Sequence, residues 1–466
     1  MPEPPLPNVA ALVLAAGKST RMKSRTPKAL HPLLGRPLLR FALDAAAGAG
    51  AHRTVLVVGH QAEAVQEAMG PDFEYVLQAE QRGTGHAVQM AEPLLADWDG
   101  PLLVLPGDAP LITAELLHAL IATHTQSNAA ATLLTATLTD AGSYGRIVRD
   151  GQNGPVRAIV EARDATPEQL LISEIGTSIY AFDPPKLFAA LRQVTPQNVQ
   201  NELYLTDVIA LLAAQGERVE ALISPDADVV KGVNTRVELV ELSHVLQAKV
   251  QRKLMLEGVT IIDPATTYIE DTVNIGQDTV VHPFSILSGV TDIGQECQIG
   301  PGARLSDARL GNSVHVRDSY VTASEVGDGT RIGPFANIRP GSVVGKSVKI
   351  GDFVELKNAT LHDGVSAGHL AYLGDAEIGA NTNIGAGTIT CNYDPFLTPT
   401  KNKTTVGARA FIGTHSTLVA PVAVGDGAYT AAGSVITDDV PGDSLGIGRA
   451  RQVNKDGWVA KKRKKE

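Results

Sequence analysis

An aliphatic residue followed by glycine or another small residue recurs every six positions between Ile275 and Val435. The repeat is clearest at Ile293-Gly294, Ile299-Gly300, Val326-Gly327, Ile332-Gly333, Ile350-Gly351, Ile384-Gly385 and Ile412-Gly413. A six-residue period fits neither an α-helix nor a β-sandwich, but it fits a parallel β-helix in which each aliphatic side chain stacks on its equivalent one coil below. The pattern therefore predicts a parallel β-helix for the second half of the chain. A purely structural rod would carry the same repeat.

The first half of the chain, from Asn8 to about Arg236, alternates short apolar strands with helical segments. The predicted strands are Val9 to Leu14, Thr54 to Val58, Leu102 to Leu105 and Ala131 to Thr137, and the predicted helices include Leu38 to Ala47 and Ala114 to His124. This alternation predicts an α/β domain with a mainly parallel sheet. In such sheets ligands bind at the carboxyl ends of the strands, so the loops that follow strands are where a site is expected.

A helical rhythm of apolar residues without proline or glycine runs from Arg236 to Glu257, and Gly258 is placed to end it. With 466 residues, the chain exceeds what one hydrophobic core normally serves. We therefore expect two domains, at residues 1–235 and 258–466, joined by a helix at residues 236–257.

Composition narrows the classes of function. The formal net charge of −10 argues against a general nucleic-acid binder, because neutralising phosphates requires a basic surface. The basic cluster from Lys461 to Lys465 is expected to be a solvated, disordered tail; a tail that touches a phosphorylated ligand is the alternative.

Membrane and export signals are also weak. No stretch approaches the roughly 20 apolar residues of a membrane span, and Met1 to Pro7 lacks the basic residues of a signal peptide. The two cysteines, Cys297 and Cys391, have no paired spacing. This pattern favours a reducing, cytoplasmic setting.

The loop after the first predicted strand, Ala15 to Met22, is a turn of small residues. Backbone amides in such a turn can approach phosphate oxygens, and Arg21 can add a charge-assisted hydrogen bond. The loop has neither the spacing of a Walker motif nor that of a dinucleotide fingerprint, so by itself it is weak evidence. It is accompanied by Thr26 to Leu30, Gln78 to Ala87, Pro106 to Pro110, Tyr144 to Arg146, Ile159 to Glu161, Tyr204 to Asp207 and Gly232 to Asn234. Together these segments resemble the sugar-1-phosphate nucleotidyltransferases.

Polar residues cluster where the hexads are predicted to break, near Leu361 to Asp375 and at Thr390 to Thr405. The polar segments are Val354 to Asn358, Ala367 to Asp375 and Cys391 to Asp394. With them, almost the whole chain is similar to the family of bifunctional N-acetylglucosamine-1-phosphate uridylyltransferases and glucosamine-1-phosphate N-acetyltransferases. The resemblance implies a Rossmann-like nucleotidyltransferase domain, a linker helix, a left-handed parallel β-helix of hexapeptide repeats and a homotrimer.

The resemblance assigns roles in the first domain. The residues implied to bind the nucleotide of UTP are Leu14, Ala15, Ala16, Gly17, Arg21, Lys28, Gln78, Gly83 and Thr84. Asp108 and Asn234 would bind Mg²⁺, and Gly145 and Glu161 would bind the sugar. A sugar phosphate that attacks the α-phosphorus of UTP has no proton to lose, so the reaction needs positioning and charge neutralisation. In isolation, Asp108 would be interpreted as a turn-capping aspartate.

Two positions depart from the family pattern. Ser19 stands at the second glycine of Gly-x-Gly-Thr-Arg-Met, and if that position needs a positive φ, serine costs about 1 kcal/mol. At Ile175-Gly176-Thr177-Ser178 the family has Asn-Thr-Gly, in which the asparagine helps to bind the sugar. Gly176 has no side chain to offer, so a water or a neighbour such as Glu161 would have to compensate.

In the second domain the resemblance implies that His369 is the general base of acetyl transfer. An imidazole with a pKa near ~6.5 can take a proton from the amine as it attacks the thioester of acetyl-CoA. Glu355 is the local candidate to orient this imidazole. The implied sugar-phosphate ligands are Arg339, Lys357, Tyr372 and Asn383, with Lys403 as a further candidate, and the implied acetyl-CoA contacts are Asn392, Tyr393, Thr414, Ala432 and Arg449. The loop from Asp394 to Lys403 is about three residues longer than the family norm.

We therefore expect a two-site enzyme that uses Mg²⁺, UTP and acetyl-CoA. It would acetylate glucosamine 1-phosphate and then join the product to UMP, giving UDP-N-acetylglucosamine for cell-wall and lipopolysaccharide precursors. One alternative is a different pair of nucleotide and amino sugar, such as a thymidylyltransferase with an attached acetyltransferase. Another is a single-site nucleotidyltransferase whose β-helix serves trimerisation or regulation, and a pure scaffold is the third.

Overall fold

Parallel strands dominate both halves of the chain, in a computed structural model that describes residues 8–151, 154–396 and 401–463. The chain divides into one unit that ends at Leu246 and another that starts at Gln247. The expectation about Met1 to Pro7 lies outside the described residues. No helix within the described ranges is long and apolar enough to cross a membrane.

The first unit is built around one mixed sheet. The strands of the unit are β1 (Val9–Ala15), β2 (Pro32–Leu33), β3 (Arg36–Pro37), β4 (Ala51–Val58), β5 (Glu74–Leu77), β6 (Leu102–Pro106), β7 (Ala131–Thr137), β8 (Arg146–Arg149), β9 (Val156–Val160), β10 (Glu174–Phe182) and β11 (Val219–Ile223). The short strands β2 and β3 pair only with each other, and the others form the mixed sheet. The sheet order is β11-β7-β10-β6-β1-β4-β5, and β10 alone on this path runs antiparallel to its neighbours. The prediction of a mainly parallel sheet is confirmed.

Helices cover this sheet on both faces. The helices of the first unit are α1 (Leu38–Gly48), α2 (Ala62–Met69), α3 (Thr84–Gln89), α4 (Glu92–Leu95), α5 (Ala114–Ser127), α6 (Pro167–Leu170), α7 (Pro184–Leu191) and α8 (Asp207–Ala214). Two further helices are α9 (Arg236–Leu256), which continues from the first unit into the second, and α10 (Trp458–Arg463), which belongs to the second unit. Successive β1 side chains point to opposite faces, so Leu12 joins one apolar cluster and Val13 the other. Both are fully buried, which explains why the strand is apolar throughout.

The second unit is a left-handed parallel β-helix with three faces. The first face contains Thr260–Ile261, Val280–Val281, Gln298–Ile299, His315–Val316, Arg331–Ile332, Lys349–Asp352, Ser366–His369, Asn383–Ile384, Phe411–Ile412, Tyr429–Thr430 and Leu445–Gly446. The second contains Tyr268–Ile269, Ile286–Ser288, Arg304–Ser306, Tyr320–Thr322, Asn337–Ile338, Glu355–Lys357, Tyr372–Gly374, Ile389–Cys391, Thr417–Val419 and Val435–Ile436. The third contains Asn274–Ile275, Asp292–Ile293, Arg309–Leu310, Glu325–Val326, Val343–Val344, Thr360–Leu361, Ala376–Ile378, Thr404–Val406 and Val422–Val424.

Aliphatic columns hold the coils in register. On the first face Ile332, Ile350, Ala367, Ile384 and Ile412 pair in succession, and all are buried. Because side chains alternate along a strand, a slip of one residue would turn every such column outward. The hexad pattern therefore specifies the alignment of each coil on the next.

One predicted interruption of the repeat is wrong. Between Leu361 and Asp375 the coils continue, with Ala367 and Leu373 pointing into the core. An alanine in place of a branched residue, and a step from Leu373 to Ile378 that is one residue short of six, hide the repeat in the sequence. The later interruption lies between the strands Ile389–Cys391 and Thr404–Val406, and its residues 397–400 are outside the described ranges.

The basic cluster near the C-terminus is exposed as expected but not irregular. Lys461, Lys462 and Arg463 form the end of α10, whose side chains are all exposed. The prediction of a disordered tail is therefore wrong for these residues, and the remaining basic residues of the cluster lie outside the described part of the chain.

The stacking of inward side chains can be tested at two adjacent residues. Leu287 is fully buried, whereas its neighbour Ile286 is 36% exposed. We expect Leu287→Ala to lower the free energy of unfolding by about 2–5 kcal/mol, because a buried cavity is left. Ile286→Ala should cost less than about 1 kcal/mol. Denaturant titration measures both, and equal losses would contradict the proposed alignment of the coils.

Candidate functional site

A cavity of about 410 Å³ lies in the first unit where β1 and β6 end. Leu14 of β1 pairs with Pro106 of β6, so both strands deliver their following loops to one edge of the sheet. The cavity brings together ten of the residues predicted to bind ligands: Leu14, Ala15, Ala16, Gly17, Lys28, Gln78, Gly83, Thr84, Asp108 and Glu161.

Ser19, in the turn after β1, has the positive φ that the sequence comparison raised as a question. The Ser19 backbone is left-handed, with φ 53° and ψ 40°, and the Ser19 hydroxyl donates to the carbonyl of Gly17 at 3.3 Å. A residue with a β-carbon in this conformation costs about 1 kcal/mol or more. Ser19 lines the edge of the cavity, and the short helix that follows buries Met22.

A second wall of the cavity is fixed by hydrogen bonds between side chains and backbone. The Gln78 amide donates to the carbonyl of Gly83 at 3.1 Å, and the Thr84 hydroxyl accepts from the backbone N–H of Leu205 at 3.1 Å. Gly83 has a φ of 110°, and a β-carbon there would lie 2.4 Å from the carbonyl oxygen of Leu203. A glycine is therefore required for the two segments to approach this closely.

Charged and amide groups meet at the opposite end of the cavity. The Lys28 ammonium forms an ion pair with Asp108 and donates to Oδ1 of Asn234 at 3.3 Å. Arg21 donates to the same Asn234 oxygen at 2.9 Å. The backbone N–H of Val233 donates to the Asp108 carbonyl at 2.9 Å, which ties the two loops together. Arg21 and Asn234 do not line the cavity themselves. They are linked by hydrogen bonds to Lys28, which lines the cavity together with its ion-pair partner Asp108.

This cluster fits a divalent cation through its oxygens. Asp108 and Asn234 direct a carboxylate and an amide oxygen at one positive group, the Lys28 ammonium. Mg²⁺ prefers such hard oxygen ligands and keeps several positions for water and phosphates. No group of three or more His, Cys, Asp or Glu side chains able to hold a metal occurs among the residues described.

A side pocket of about 130 Å³ shares Glu161, Ser178, Tyr180 and Thr206 with the larger cavity. Its other lining residues are Ser143, Tyr144, Gly145, Ile159 and Gly176. Glu161 accepts a hydrogen bond from the Thr206 hydroxyl at 3.2 Å, yet burial dominates and raises the pKa of its carboxyl. The two predicted sugar-binding residues, Gly145 and Glu161, thus share one small polar pocket.

The second unit pairs His369 with an aspartate that the sequence did not single out. Asp352 aligns with His369 on the next coil, and its Oδ1 lies 2.6 Å from the imidazole Nδ1. The expectation that Glu355 orients His369 is wrong, because Glu355 lies on the second face and forms an ion pair with Arg339 at 2.8 Å. Backbone hydrogen bonding and the His369 imidazole hold the pKa of the Asp352 carboxyl below its usual range.

Glycine makes this pairing possible. A β-carbon on Gly351 would lie 1.9 Å from the carbonyl oxygen of Gly368. The backbones that carry Asp352 and His369 can therefore approach only if residue 351 has no side chain. His369 remains 63% exposed at the corner between the first and second faces.

Three cations gather at the other end of the second face, where Lys357 aligns with Gly374 and Lys401 belongs to the loop that leads to Thr404. Lys401 lies close enough to Lys357 to lower the pKa of the Lys357 ammonium, and Arg339 lowers it further. Lys401 was missed because the longer loop obscures the alignment, and Lys403 instead forms an ion pair with Glu377 at 2.6 Å. Arg339 is paired with Glu355, so the excess positive charge lies on Lys357 and Lys401, and it is suited to a phosphate dianion.

Tyr372, Asn383, Asn392 and Tyr393 occupy different parts of this surface. The Tyr372 ring lies over Gly374, and its hydroxyl would be 2.4 Å from a β-carbon there. Asn392 is buried and donates to Asp375. Asn383 lies on the first face, aligned with Ser366, and is therefore separated from the cations. Tyr393 is 64% exposed.

Two of the predicted acetyl-CoA contacts, Thr414 and Ala432, lie on later coils at the same corner as His369. Ala367, Ile384, Ile412 and Thr430 align on successive coils. The residues two positions further along therefore form one column, which contains His369, Ala386, Thr414 and Ala432. At ~5 Å per coil, Thr414 lies roughly 10 Å from His369. Arg449 approaches this column at Gly433, where its Cδ lies 3.9 Å from the position of a β-carbon.

Comparisons with known proteins agree over both units. A model of the MobA-like NTP transferase domain matches residues 11–199, and a model of the GMPPB C-terminal domain matches residues 264–361. The "Bifunctional protein GlmU" of Geobacillus sp. (strain WCH70) is 48% identical over 451 residues, which cover 96% of this chain and 97% of the relative. The protein of the same name from Brevibacillus brevis is 49% identical over 447 residues, covering 96% of each chain.

A solved structure of a UDP-glucose pyrophosphorylase complexed with UDP-glucose also aligns. It is 19% identical, covers 52% of this chain and 99% of its own, and has a TM-score of 0.44. That likeness is too distant to bear on ligands.

The buried carboxyl of Glu161 makes stability depend on pH. Because its pKa is raised in the folded protein, its contribution to stability is present below the ordinary carboxyl pKa and is lost as the pH rises through the raised value. We expect Glu161→Gln to melt at a higher temperature than the unaltered protein at pH 8, with the gap closing near pH 4. Glu63→Gln, at an exposed position on α2, is the control. A variant that melts lower at pH 8 would contradict the account.

Proposed function

The chain belongs to the GlmU family, and we propose on that premise that the two clusters described above catalyse its two reactions. The enzyme acetylates glucosamine 1-phosphate with acetyl-CoA, then transfers UMP from UTP to N-acetylglucosamine 1-phosphate, which gives UDP-N-acetylglucosamine and pyrophosphate. The observation that carries the residue assignments is the Asp352–His369 pair at 2.6 Å, in the same unit as the cations around Lys357. An inert rod has no use for such a pair.

In acetyl transfer His369 acts as the general base. The amine nitrogen of glucosamine 1-phosphate attacks the thioester carbonyl carbon, a C–N bond forms, and the C–S bond breaks to release coenzyme A. When neutral, the imidazole donates from Nδ1 to Asp352 and keeps a lone pair on Nε2 that can take the amine proton. Asp352 thereby fixes the tautomer and stabilises the imidazolium that forms.

The sugar phosphate is bound by Arg339, Lys357 and Lys401. The lowered pKa of Lys357 reports repulsion from Lys401 and Arg339, and a bound dianion relieves that repulsion. The Tyr372 hydroxyl lies on the same face and supplies a polar contact. Acetyl-CoA lies along the column of Thr414 and Ala432, with Arg449 and Tyr393 at its edges. Much of this surface is exposed in a single chain, which supports a homotrimer in which a neighbouring copy completes the site.

In uridylyl transfer a phosphate oxygen of N-acetylglucosamine 1-phosphate attacks the α-phosphorus of UTP. The new P–O bond replaces the bond to the β-phosphate, and pyrophosphate leaves without any proton transfer. Arg21 and Lys28 neutralise phosphate charge, and the walls around Ala15, Gln78 and Gly83 hold the uracil. Asp108 and Asn234 would hold Mg²⁺, which supplies additional neutralisation of the phosphates.

Three further assignments complete the proposal: the sugar pocket, the cellular setting and the domain limits. The sugar of the second reaction binds in the side pocket with Gly145 and Glu161. A cytoplasmic setting is part of the proposal and is supported by the two cysteines, which are free thiols. The boundaries at residues 235 and 257 are proposed as the limits of the two catalytic domains.

Acetyl transfer tests the second site. We expect His369→Ala to slow thiol release from acetyl-CoA and glucosamine 1-phosphate by about 10² to 10⁴. Asp352→Asn keeps the shape of the side chain but favours the wrong tautomer, so we expect a loss of at least about tenfold. His362→Ala removes an exposed histidine that bonds Glu377 and serves as the control. Wild-type rates in both site variants, with intact uridylyl transfer as a measure of folding, would overturn the assignment.

A further inference from the structure

The side pocket of the first unit is lined by three residues of one strand, Gly176, Ser178 and Tyr180. Gly176 contributes only backbone, and its N–H donates to the carbonyl of Gly145 at 2.9 Å. Ser178 also lines the larger cavity, so it lies where the two cavities join. A hydroxyl at that junction can reach a ligand that extends from one cavity into the other.

The backbone at Ser178 is strained. Its φ is 62°, in the left-handed region that favours glycine, and the pairing of β10 with β7 shifts register between Gly176 and Tyr180. Its neighbours Thr177 and Ile179 are buried, whereas Ser178 is exposed. The irregularity thus turns one serine of a buried strand toward open space. Strain of this kind is typical of functional sites, where a side chain is held in place at a cost in stability.

Lack of space does not explain the glycine at residue 176. A β-carbon there would meet Ile159 at 3.4 Å and 3.5 Å and Ile147 at 3.6 Å, which are close to ordinary contacts. The pocket can therefore accept a side chain from residue 176. Two side-chain hydroxyls of this strand nevertheless line the pocket, those of Ser178 and Tyr180. Tyr180 is buried and interacts with Ser178, whereas Ser178, two residues beyond Gly176, is exposed.

The rest of the pocket is suited to hydroxyl groups. Glu161 accepts from Thr206 through Oε1, and its second oxygen forms no hydrogen bond within the described chain. Tyr144 and Ser143 add two further polar side chains. A volume of about 130 Å³ is compatible with part of one sugar ring and too small for a nucleotide.

We propose that Ser178 is a specificity-determining residue that binds a hydroxyl of the sugar in the side pocket and replaces the side chain that Gly176 lacks. The inference rests on the proposed uridylyl transfer and deepens it, since it names the group that selects the sugar. Ser178 is a binding residue and takes no part in bond formation.

Three variants separate the hydroxyl from the backbone. Ser178→Ala removes the hydroxyl and retains the β-carbon, whereas Ser178→Gly removes both and relieves the left-handed strain. We expect both to raise KM for N-acetylglucosamine 1-phosphate about tenfold, with KM for UTP unchanged. Ser178→Gly should also melt no lower than the unaltered protein. The double variant Gly176→Asn/Ser178→Gly should recover most of the lost affinity, because a polar side chain returns to the same pocket.

A matched control separates relief of strain from loss of the hydroxyl. Ser347 is an exposed serine of the β-helix with a φ of 54°, and Ser347→Gly should change melting temperature without changing either KM. Reduced stability of Ser178→Gly together with an unchanged KM for the sugar phosphate would show a structural role and overturn the proposal. An unchanged KM in Ser178→Ala would overturn it equally.

A binding experiment keeps the proposal distinct from the proposed function. Isothermal titration with UDP-N-acetylglucosamine and with UDP measures the gain in affinity that the sugar supplies. We expect that gain to fall about tenfold in Ser178→Ala, with the affinity for UDP unchanged. If the unaltered protein binds neither ligand, the assignment of the nucleotide site fails. If the gain is the same in protein and variant, only the role of Ser178 fails.

Discussion

The in-register stacking of parallel coils is the constraint on which the second site depends. Inward aliphatic residues such as Ile350 and Ile384 fix each coil against the next, because a one-residue slip would expose whole columns. Once the alignment is set, Asp352 must meet His369, and Thr414 must lie two coils above it. The apolar core thus determines the geometry of polar groups that never enter it.

Both sites contain groups that destabilise the free protein and that a bound ligand can stabilise. In the second unit Lys401, and to a lesser extent Arg339, disfavour the charged form of the Lys357 ammonium. In the first unit Glu161 is a carboxyl whose charged form is disfavoured by burial, and Ser19 and Ser178 are held in left-handed conformations. Each of these features lowers the stability of the free protein, and each lies against a cavity or an open cation cluster. Such trade-offs between stability and activity are expected where groups must be positioned before substrate arrives.

Much of this organisation could be predicted from the sequence, and the failures share a physical cause. The hexads predict the β-helix, and the loops after β1 and β6 predict the position of the larger cavity of the first unit, because both are local patterns. Asp352 could not be recognised without the pairing of strands on successive coils, so the nearer Glu355 was chosen instead. Lys401 was missed since the length of its loop left its alignment open. The continuous coil through Ala367 escaped notice because alanine is a weak signal of a buried column.

The central claim is that one chain acetylates an amino sugar phosphate and then activates the product. The most direct test supplies the purified protein with glucosamine 1-phosphate, UTP, Mg²⁺ and acetyl-CoA labelled with ¹³C in both acetyl carbons, and follows nucleotide sugars by mass spectrometry. The account predicts UDP-N-acetylglucosamine that carries both labelled carbons, formed in step with free coenzyme A. A nucleotide sugar without the label, or no nucleotide sugar at all, would contradict it.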